Sequence, residues 1–202
     1  MVRAVARRLS KHSQVLLDTE HCRLERFALP TVALRAPRGG GPEYWLSSSG
    51  AAGKLDATPI SDMRRHSLFG ARQLLRLVLP TSPGGVSTAG HQSKSEVAVG
   101  TRLLIDDLRV RIWEFRLEAG ERCPFHTHQL PYCFTNLSSN LTQALDASGA
   151  SVGEPAWQTR GRTIYVPPDS LGSHGVRNVG DSTFLQFIVE FKGKQLLGSH
   201  VG

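Results

Sequence analysis

GERCPFHTHQLPY, residues 120–132, holds two histidines separated by a single residue, His126 and His128. Since successive side chains of an extended strand point to opposite faces, a His-x-His pair on a strand directs both imidazoles to the same side. Neutral imidazole binds Zn, Fe, Cu and Ni, so the pair predicts half of a metal site, although such pairs also arise by chance on exposed strands. A third histidine, His174, lies in GRTIYVPPDSLGSHGVRN, residues 161–178, and completes the predicted ligand set.

The spacing of glycines around these histidines resembles the two sequence motifs of the cupin superfamily. Gly120 lies six residues before His126, as in the first motif, and Gly161 lies six residues before Pro167, as in the second, with His174 downstream. The resemblance implies an all-β fold, the double-stranded β-helix or jelly-roll-like barrel of the cupins. It also implies a metal ion held by the histidines inside one mouth of that barrel.

The resemblance covers roughly residues 100 to 193 and has one important departure. In the family the first motif continues with a glutamate that is usually the fourth metal ligand, whereas the two corresponding positions here hold Tyr132 and Cys133. The resemblance therefore implies a three-histidine site. Tyr132 is a candidate acid–base or substrate-orienting residue, with a core tyrosine as the alternative. Cys133 also resembles a cysteine of the thiol dioxygenases, but a buried structural thiol is the simpler interpretation.

The pattern of apolar and turn-forming residues after Glu96 also favours this fold. Short apolar runs alternate with turn signals there, which is typical of an all-β barrel or sandwich. In the last run, residues 184–191, alternation places Gln186 and Ile188 on one face of a strand. Gln186 could line a pocket or lie on the surface, and we expect the surface position.

The first part of the chain is predicted to be a separate, basic extension. Residues 1–100 contain 14 Lys and Arg against 7 Asp and Glu, whereas residues 101–202 contain 10 against 10, so the net charge of +7 comes from the first half. We therefore expect a poorly structured, partly helical extension at residues 1–94, a cupin domain at 95–195 and a tail at 196–202.

Two kinds of segment are predicted within this extension. Residues 36–61 and 80–94 are rich in Gly, Ser, Pro and Ala, a composition that favours linkers or disorder. Residues 61–79 carry apolar side chains mostly three and four positions apart, which predicts an amphipathic helix. Such a helix would pack against the barrel with its arginines solvated, or lie on an acidic membrane or partner surface.

The opening of the sequence predicts an intracellular location. It is basic and free of acidic residues up to Asp18, as in a mitochondrial or plastid transit peptide; the alternative is a disordered basic tail, which would leave the protein in the cytoplasm. Three cysteines, an odd number without Cys-x-x-Cys spacing, favour a reducing compartment. No run of 18 or more apolar residues is present, so we expect a soluble protein without a membrane span.

The sequence thus predicts a metal-dependent enzyme of dioxygenase, isomerase or lyase type that acts on a small molecule. Iron, which would make it an oxidoreductase, is the expected divalent ion, with Zn, Mn and Ni as alternatives. A cupin that binds a small ligand or a structural metal without catalysis is the alternative function. The basic residues lack a recognition motif or stacking platform, so no nucleic acid is expected as a partner. The family resemblance implies a homodimer.

Overall fold

Strands dominate both parts of the chain in the computed structural model. The chain divides into two compact units, Met1–His91 and Gln92–Gly202. The residues that the structure describes are 13–19, 22–27, 43–49, 54–59, 71–79 and 98–192. Among them, no helix is long and apolar enough to cross a membrane.

The N-terminal unit contains an antiparallel sheet of five strands. The strands are β1 (Ser13–Asp18), β2 (Arg23–Phe27), β3 (Glu43–Ser49), β4 (Lys54–Pro59) and β5 (Ala71–Val78). Their order in the sheet is β1-β2-β5-β3-β4. Its buried side chains are chiefly leucines, among them Leu24, Leu46, Leu55 and Leu77. Arg76 on β5 bridges two buried carboxylates of the neighbouring strands, because its guanidinium lies 3.2 Å from Glu25 and 3.0 Å from Glu43.

This sheet corrects two predictions for the extension. The helix predicted at residues 61–79 is wrong over Ala71–Val78, which form β5, while residues 61–70 lie outside the described part. A short apolar run such as that of β5 satisfies helical spacing and a buried strand equally well, and the ion pairs that fix it come from distant residues. The linker predicted at 36–61 is wrong over β3 and β4, so the extension is not poorly structured where it is described.

Other predictions fall outside the described residues. These are residues 1–12 of the predicted transit peptide, whose following residues begin β1, the linker at 80–94 and the tail at 196–202.

The C-terminal unit consists of nine described strands in two antiparallel sheets. They are β6 (Arg102–Asp106), β7 (Val110–Leu117), β8 (Arg122–Thr127), β9 (Tyr132–Asn136), β10 (Asn140–Leu145), β11 (Ser151–Gln158), β12 (Thr163–Val166), β13 (Ser173–Asn178) and β14 (Phe184–Phe191). One sheet has the order β12-β9-β14-β7-β6 and the other β11-β10-β13-β8. From β7 onward the chain passes repeatedly from one sheet to the other. This is the double-stranded β-helix, which confirms the predicted all-β fold.

The two motif glycines occupy turns that require a left-handed backbone. Gly120 has a φ of 82° and Gly161 a φ of 83°, a region that glycine enters without the steric cost of a Cβ. The amide of Gly120 donates to the carbonyl of Asn178 at 2.9 Å, and that of Gly161 donates to the carbonyl of Asn136 at 2.8 Å. Each motif glycine therefore marks the turn into or out of a site-bearing strand.

An apolar core fills the space between the two sheets. Its buried members are Val99, Phe115, Leu117, Cys123, Tyr132, Phe184 and Ile188. Asn178 is fully buried beside it and satisfies its amide by donating to the carbonyls of Leu117 and Ser182, at 2.9 and 2.7 Å. A buried amide with both bonds made fixes the end of β13 that is remote from His174.

Candidate metal centre

The three predicted histidines come together on one side of the barrel interior. His126 lies on β8, His128 directly follows that strand, and His174 lies on β13, paired in register with His126. One ring nitrogen from each histidine can be chosen so that all three lie within 4.8 Å of one another. The Nε2 atoms of His126 and His128 are 3.2 Å apart. Strand alternation and cross-strand pairing thus produce the three-histidine group.

Burial favours the neutral form of two of these imidazoles, His128 and His174. His126 and His128 are each only 3% exposed. Desolvation lowers the pKa of His128 to about 3, with further contributions from His174 and His126. The pKa of His174 is lowered too, by burial first and by His126 second. Since the neutral ring is the form that binds metals, both groups are ready to act as ligands at neutral pH.

A backbone carbonyl fixes the orientation of His126. Its Nδ1 lies 2.9 Å from the carbonyl oxygen of Pro124, and because that oxygen can only accept, Nδ1 carries the proton and donates. The unprotonated Nε2 then faces Nε2 of His128. This arrangement, a ligand nitrogen opposite a donated N–H, is the usual outer shell of metal-binding histidines.

The separation of the two Nε2 atoms fits a shared ion. Two lone pairs at 3.2 Å repel each other unless a proton or a cation lies between them. Nitrogens that are each about 2.1 Å from one ion lie roughly 3.0 to 3.4 Å apart at octahedral and tetrahedral angles. On the far side of its ring, Nδ1 of His128 is buried and makes no hydrogen bond within the described residues. The histidines therefore fit a divalent ion, with His126 the better supported by its surroundings.

The histidines open onto a cavity of about 220 Å³ between the sheets. Its remaining walls are mostly apolar and partly aromatic, including Phe115, Phe134, Phe184 and Ile188. Tyr132 also lines the cavity and stacks on His128, with ring centroids 4.0 Å apart and an angle of 13° between the planes. The predicted site residues are thus all brought together.

The Tyr132 hydroxyl is held in its protonated form. Burial raises the pKa of Tyr132, and the nearby carboxyl of Glu190 raises it further. A phenol that resists ionisation is a poor metal ligand but a good hydrogen-bond donor. The geometry therefore suits Tyr132 to orienting a substrate or donating a proton rather than to replacing the missing glutamate as a ligand.

Neither Cys133 nor Glu190 joins the histidines. Cys133 is buried, and strand alternation places it on the face of β9 opposite to Tyr132 and Phe134, away from the cavity. Glu190 is buried beside Tyr132 in the β14–β9 register and accepts a hydrogen bond from Nε1 of Trp113 at 2.8 Å. Among the described residues, the group able to hold a metal contains histidines alone.

The sequence did not identify the polar residues of the cavity. Gln186 lines it, so the expected surface position is wrong, and Thr142 and Gln158 line it as well. The signal available for Gln186 was its alternation with Ile188, a cavity residue on the same face of β14. Thr142 and Gln158 carry no comparable local signal, because their place depends on how β10 and β11 pair.

Similarity to known proteins is found among solved structures. No protein-family model matches the chain, and no curated protein matches it. Among solved structures, a cupin domain from Bordetella pertussis Tohama I is 26% identical, with 46% of this chain and 91% of that chain covered and a TM-score of 0.40. An RmlC-like cupin with a double-stranded β-helix fold from Methanocaldococcus jannaschii is 19% identical, covering 55% of this chain and 92% of its own, with a TM-score of 0.35. The polyketide cyclase RemF from Streptomyces resistomycificus is 20% identical, covering 54% and 81%, with a TM-score of 0.35.

Proposed function

We propose that the C-terminal unit, a double-stranded β-helix, is a cupin and that it is a metal-dependent enzyme acting on a small molecule. His126, His128 and His174 hold the ion. The observation that carries the proposal is the convergence of three imidazoles, two of them buried and the third half-buried, on the wall of a 220 Å³ cavity. A metal with a purely structural role would not need an adjoining cavity large enough for a ligand.

The ion would supply a Lewis-acid centre with open positions for an oxygen atom of the substrate, for water or for dioxygen. Iron is the ion we propose first, because three imidazoles and open positions suit it and would permit dioxygenase chemistry. Zn, Mn or Ni would instead support isomerase or lyase chemistry by polarising a carbonyl.

The residues of the chain perform the remaining tasks. The Pro124 carbonyl fixes the tautomer of His126, and the ring of Tyr132 holds the plane of His128. The apolar walls exclude water and strengthen every polar interaction inside the cavity. The protonated hydroxyl of Tyr132, whose ring stacks on His128, orients the substrate or gives it a proton.

Elemental analysis of the purified full-length protein, followed by a turnover assay, tests this function. We expect about one divalent ion per chain, and consumption of dioxygen or conversion of a small oxygenated molecule when the ion is iron. The Tyr132→Phe variant should retain the ion and lose most of the turnover. Tight ligand binding without turnover, for every first-row metal reconstituted, would instead establish a binding protein.

A further inference from the structure

We propose that Thr142, Gln158 and Gln186 form a recognition wall that selects substrates whose end remote from the histidines is uncharged and carries a hydroxyl or carbonyl group. This inference rests on the proposed function, because it assumes that the reaction takes place at the histidines and that the wall binds the other end of the substrate.

The three residues lie at the end of the cavity away from the histidines. Thr142 on β10 pairs with Asn178, which is four residues beyond His174 on β13. Gln186 on β14 pairs with Asn136, which is four residues beyond Tyr132 on β9. Four residues of strand span roughly 13 Å, so both sheets place the polar wall at the opposite end from the candidate ligands.

The hydrogen bonds within the wall leave at least one acceptor and one donor for a ligand. Gln186 donates its amide to Oδ1 of Asn136 at 2.7 Å, which leaves its own carbonyl oxygen available as an acceptor. Gln158 donates to the hydroxyl oxygen of Thr142 at 3.2 Å, so the hydroxyl hydrogen of Thr142 is available as a donor. A hydroxyl group can use both, and a carbonyl group can use the donor.

The wall is fixed in place by bonds to the backbone and to its neighbours. Asn136 is fully buried and donates to the carbonyl of Thr159 at 3.1 Å, so the amide that holds Gln186 is itself held. The carbonyl oxygen of Gln158 accepts from the exposed Arg162 at 3.4 Å. A polar wall whose members are pre-oriented loses little entropy when a ligand binds.

The charge and size of the cavity limit the ligand further. Among the described residues, those that line the cavity include no Lys, Arg, Asp or Glu, and Arg162, which contacts Gln158, is itself a cation. A cationic group at the remote end would therefore be desolvated without a partner. A cavity of about 150 Å³ holds benzene, so 220 Å³ corresponds to a ligand of about nine non-hydrogen atoms. The three phenylalanines on its walls favour a flat ring between the two polar ends.

Three probes of this size separate the possibilities: para-(hydroxymethyl)phenol, para-cresol and para-(aminomethyl)phenol. They differ only in carrying a hydroxyl, nothing polar or an ammonium group at one end. Calorimetric titration of the full-length protein should give para-(hydroxymethyl)phenol about fivefold or more tighter binding than para-cresol, the gain expected of one or two neutral hydrogen bonds. The ammonium probe should bind most weakly. Equal affinity for the hydroxyl and methyl probes, or preference for the ammonium probe, would overturn the proposal.

Variants assign the preference to the wall. Gln186→Leu and Thr142→Val should each reduce the ratio between the first two probes toward one. The control Gln129→Leu, an exposed glutamine away from this cavity, should leave the ratio unchanged. Gln186→Glu places a negative charge in the wall without changing its size, and should shift the preference toward the ammonium probe. An unaltered ratio in all three wall variants would refute the assignment.

Metal content, measured on the same samples, keeps this test separate from that of the proposed function. The wall variants should bind as much metal as the unaltered protein. If the unaltered protein binds no metal but still prefers the hydroxyl probe through Gln186 and Thr142, the recognition wall stands and the metal-dependent function fails. If metal is bound and the preference is missing, the function stands and the wall fails.

Discussion

At the scale of single residues, the buried His128 couples the stability of the fold to pH, because the neutral ring that can bind a metal is also the form that the fold requires. Its buried imidazole has a folded pKa of about 3 against an ordinary value of 6.5, so the unfolded chain binds a proton more readily than the folded protein between these values. The stability linked to His128 is therefore complete above pH 6.5 and is lost as the pH falls toward 3.

We expect the free energy of unfolding of the metal-free protein, measured in urea, to fall between pH 6.5 and 4. His128→Gln should make this fall shallower, because it removes a group that must be neutral in the fold. Gln129→Ala is the control, since its side chain is exposed and does not titrate. Equal slopes for His128→Gln and the unaltered protein would show that this imidazole is not held neutral by the fold.

Tyr132 combines a packing role with a chemical one, and two substitutions separate them. Tyr132→Phe keeps the ring that stacks on His128 and should change the stability by less than about 1 kcal/mol, with the metal content preserved. Tyr132→Ala removes a buried ring and should cost about 3 kcal/mol or more, as large core truncations do. Urea unfolding with elemental analysis measures both. A loss of bound metal in Tyr132→Phe would mean that the phenol oxygen is itself a ligand.

At the scale of elements, the turn before β8, the strand of His126, requires a left-handed backbone at Gly120. Gly120 has a φ of 82° and no atom near the position of an added Cβ, so Gly120→Ala should destabilise the protein by about 1 to 2 kcal/mol through backbone strain alone. Gly172 has equally open surroundings and no positive φ, so Gly172→Ala should be close to neutral. Thermal unfolding of the two variants makes the comparison, and similar losses in both would contradict the strain argument.

A second prediction concerns β5 and its ion pairs. Arg76 lies between Glu25 and Glu43, which are 5% and 3% exposed. Arg76→Ala removes the cation that pairs with Glu43 and leaves Glu25 paired with Arg23. Because an unpaired buried charge is strongly unfavourable, we expect a loss of about 3 kcal/mol in the unfolding of the N-terminal unit. Arg26→Ala, which removes a contact to the exposed Gln14, should cost less than about 1 kcal/mol. Comparable losses would show that the buried cluster does not stabilise the sheet.

These elements show which features a sequence can predict. The barrel was predictable because its motifs are local: a glycine at each turn and a His-x-His pair on a strand. The strand β5 could not be predicted, because its apolar spacing also fits a helix. The carboxylates that pair with Arg76 lie on strands that neighbour β5 in the sheet but are distant from it in the sequence. The histidines could be predicted because they belong to local motifs. Thr142 and Gln158, in contrast, become cavity residues only through the pairing of β10 with β11.

At the scale of the whole molecule, the candidate site forms only when the two sheets of the C-terminal barrel pack against each other, because each sheet supplies some of its residues. The histidines come from the sheet that contains β8 and β13, whereas Tyr132, Phe134 and Gln186 come from the sheet that contains β9 and β14. A ligand that contacts both sheets therefore stabilises the closed barrel, by about 2.7 kcal/mol at a concentration one hundred times its Kd.

The most direct test of the account is the metal stoichiometry of the full-length protein and of a His126→Ala, His174→Ala double variant. Elemental analysis should find about one divalent ion per chain in the unaltered protein and in Gln129→Ala, and almost none in the double variant, while circular dichroism confirms that the variant is folded. Undiminished metal in a folded double variant would contradict the central claim that these histidines hold the ion.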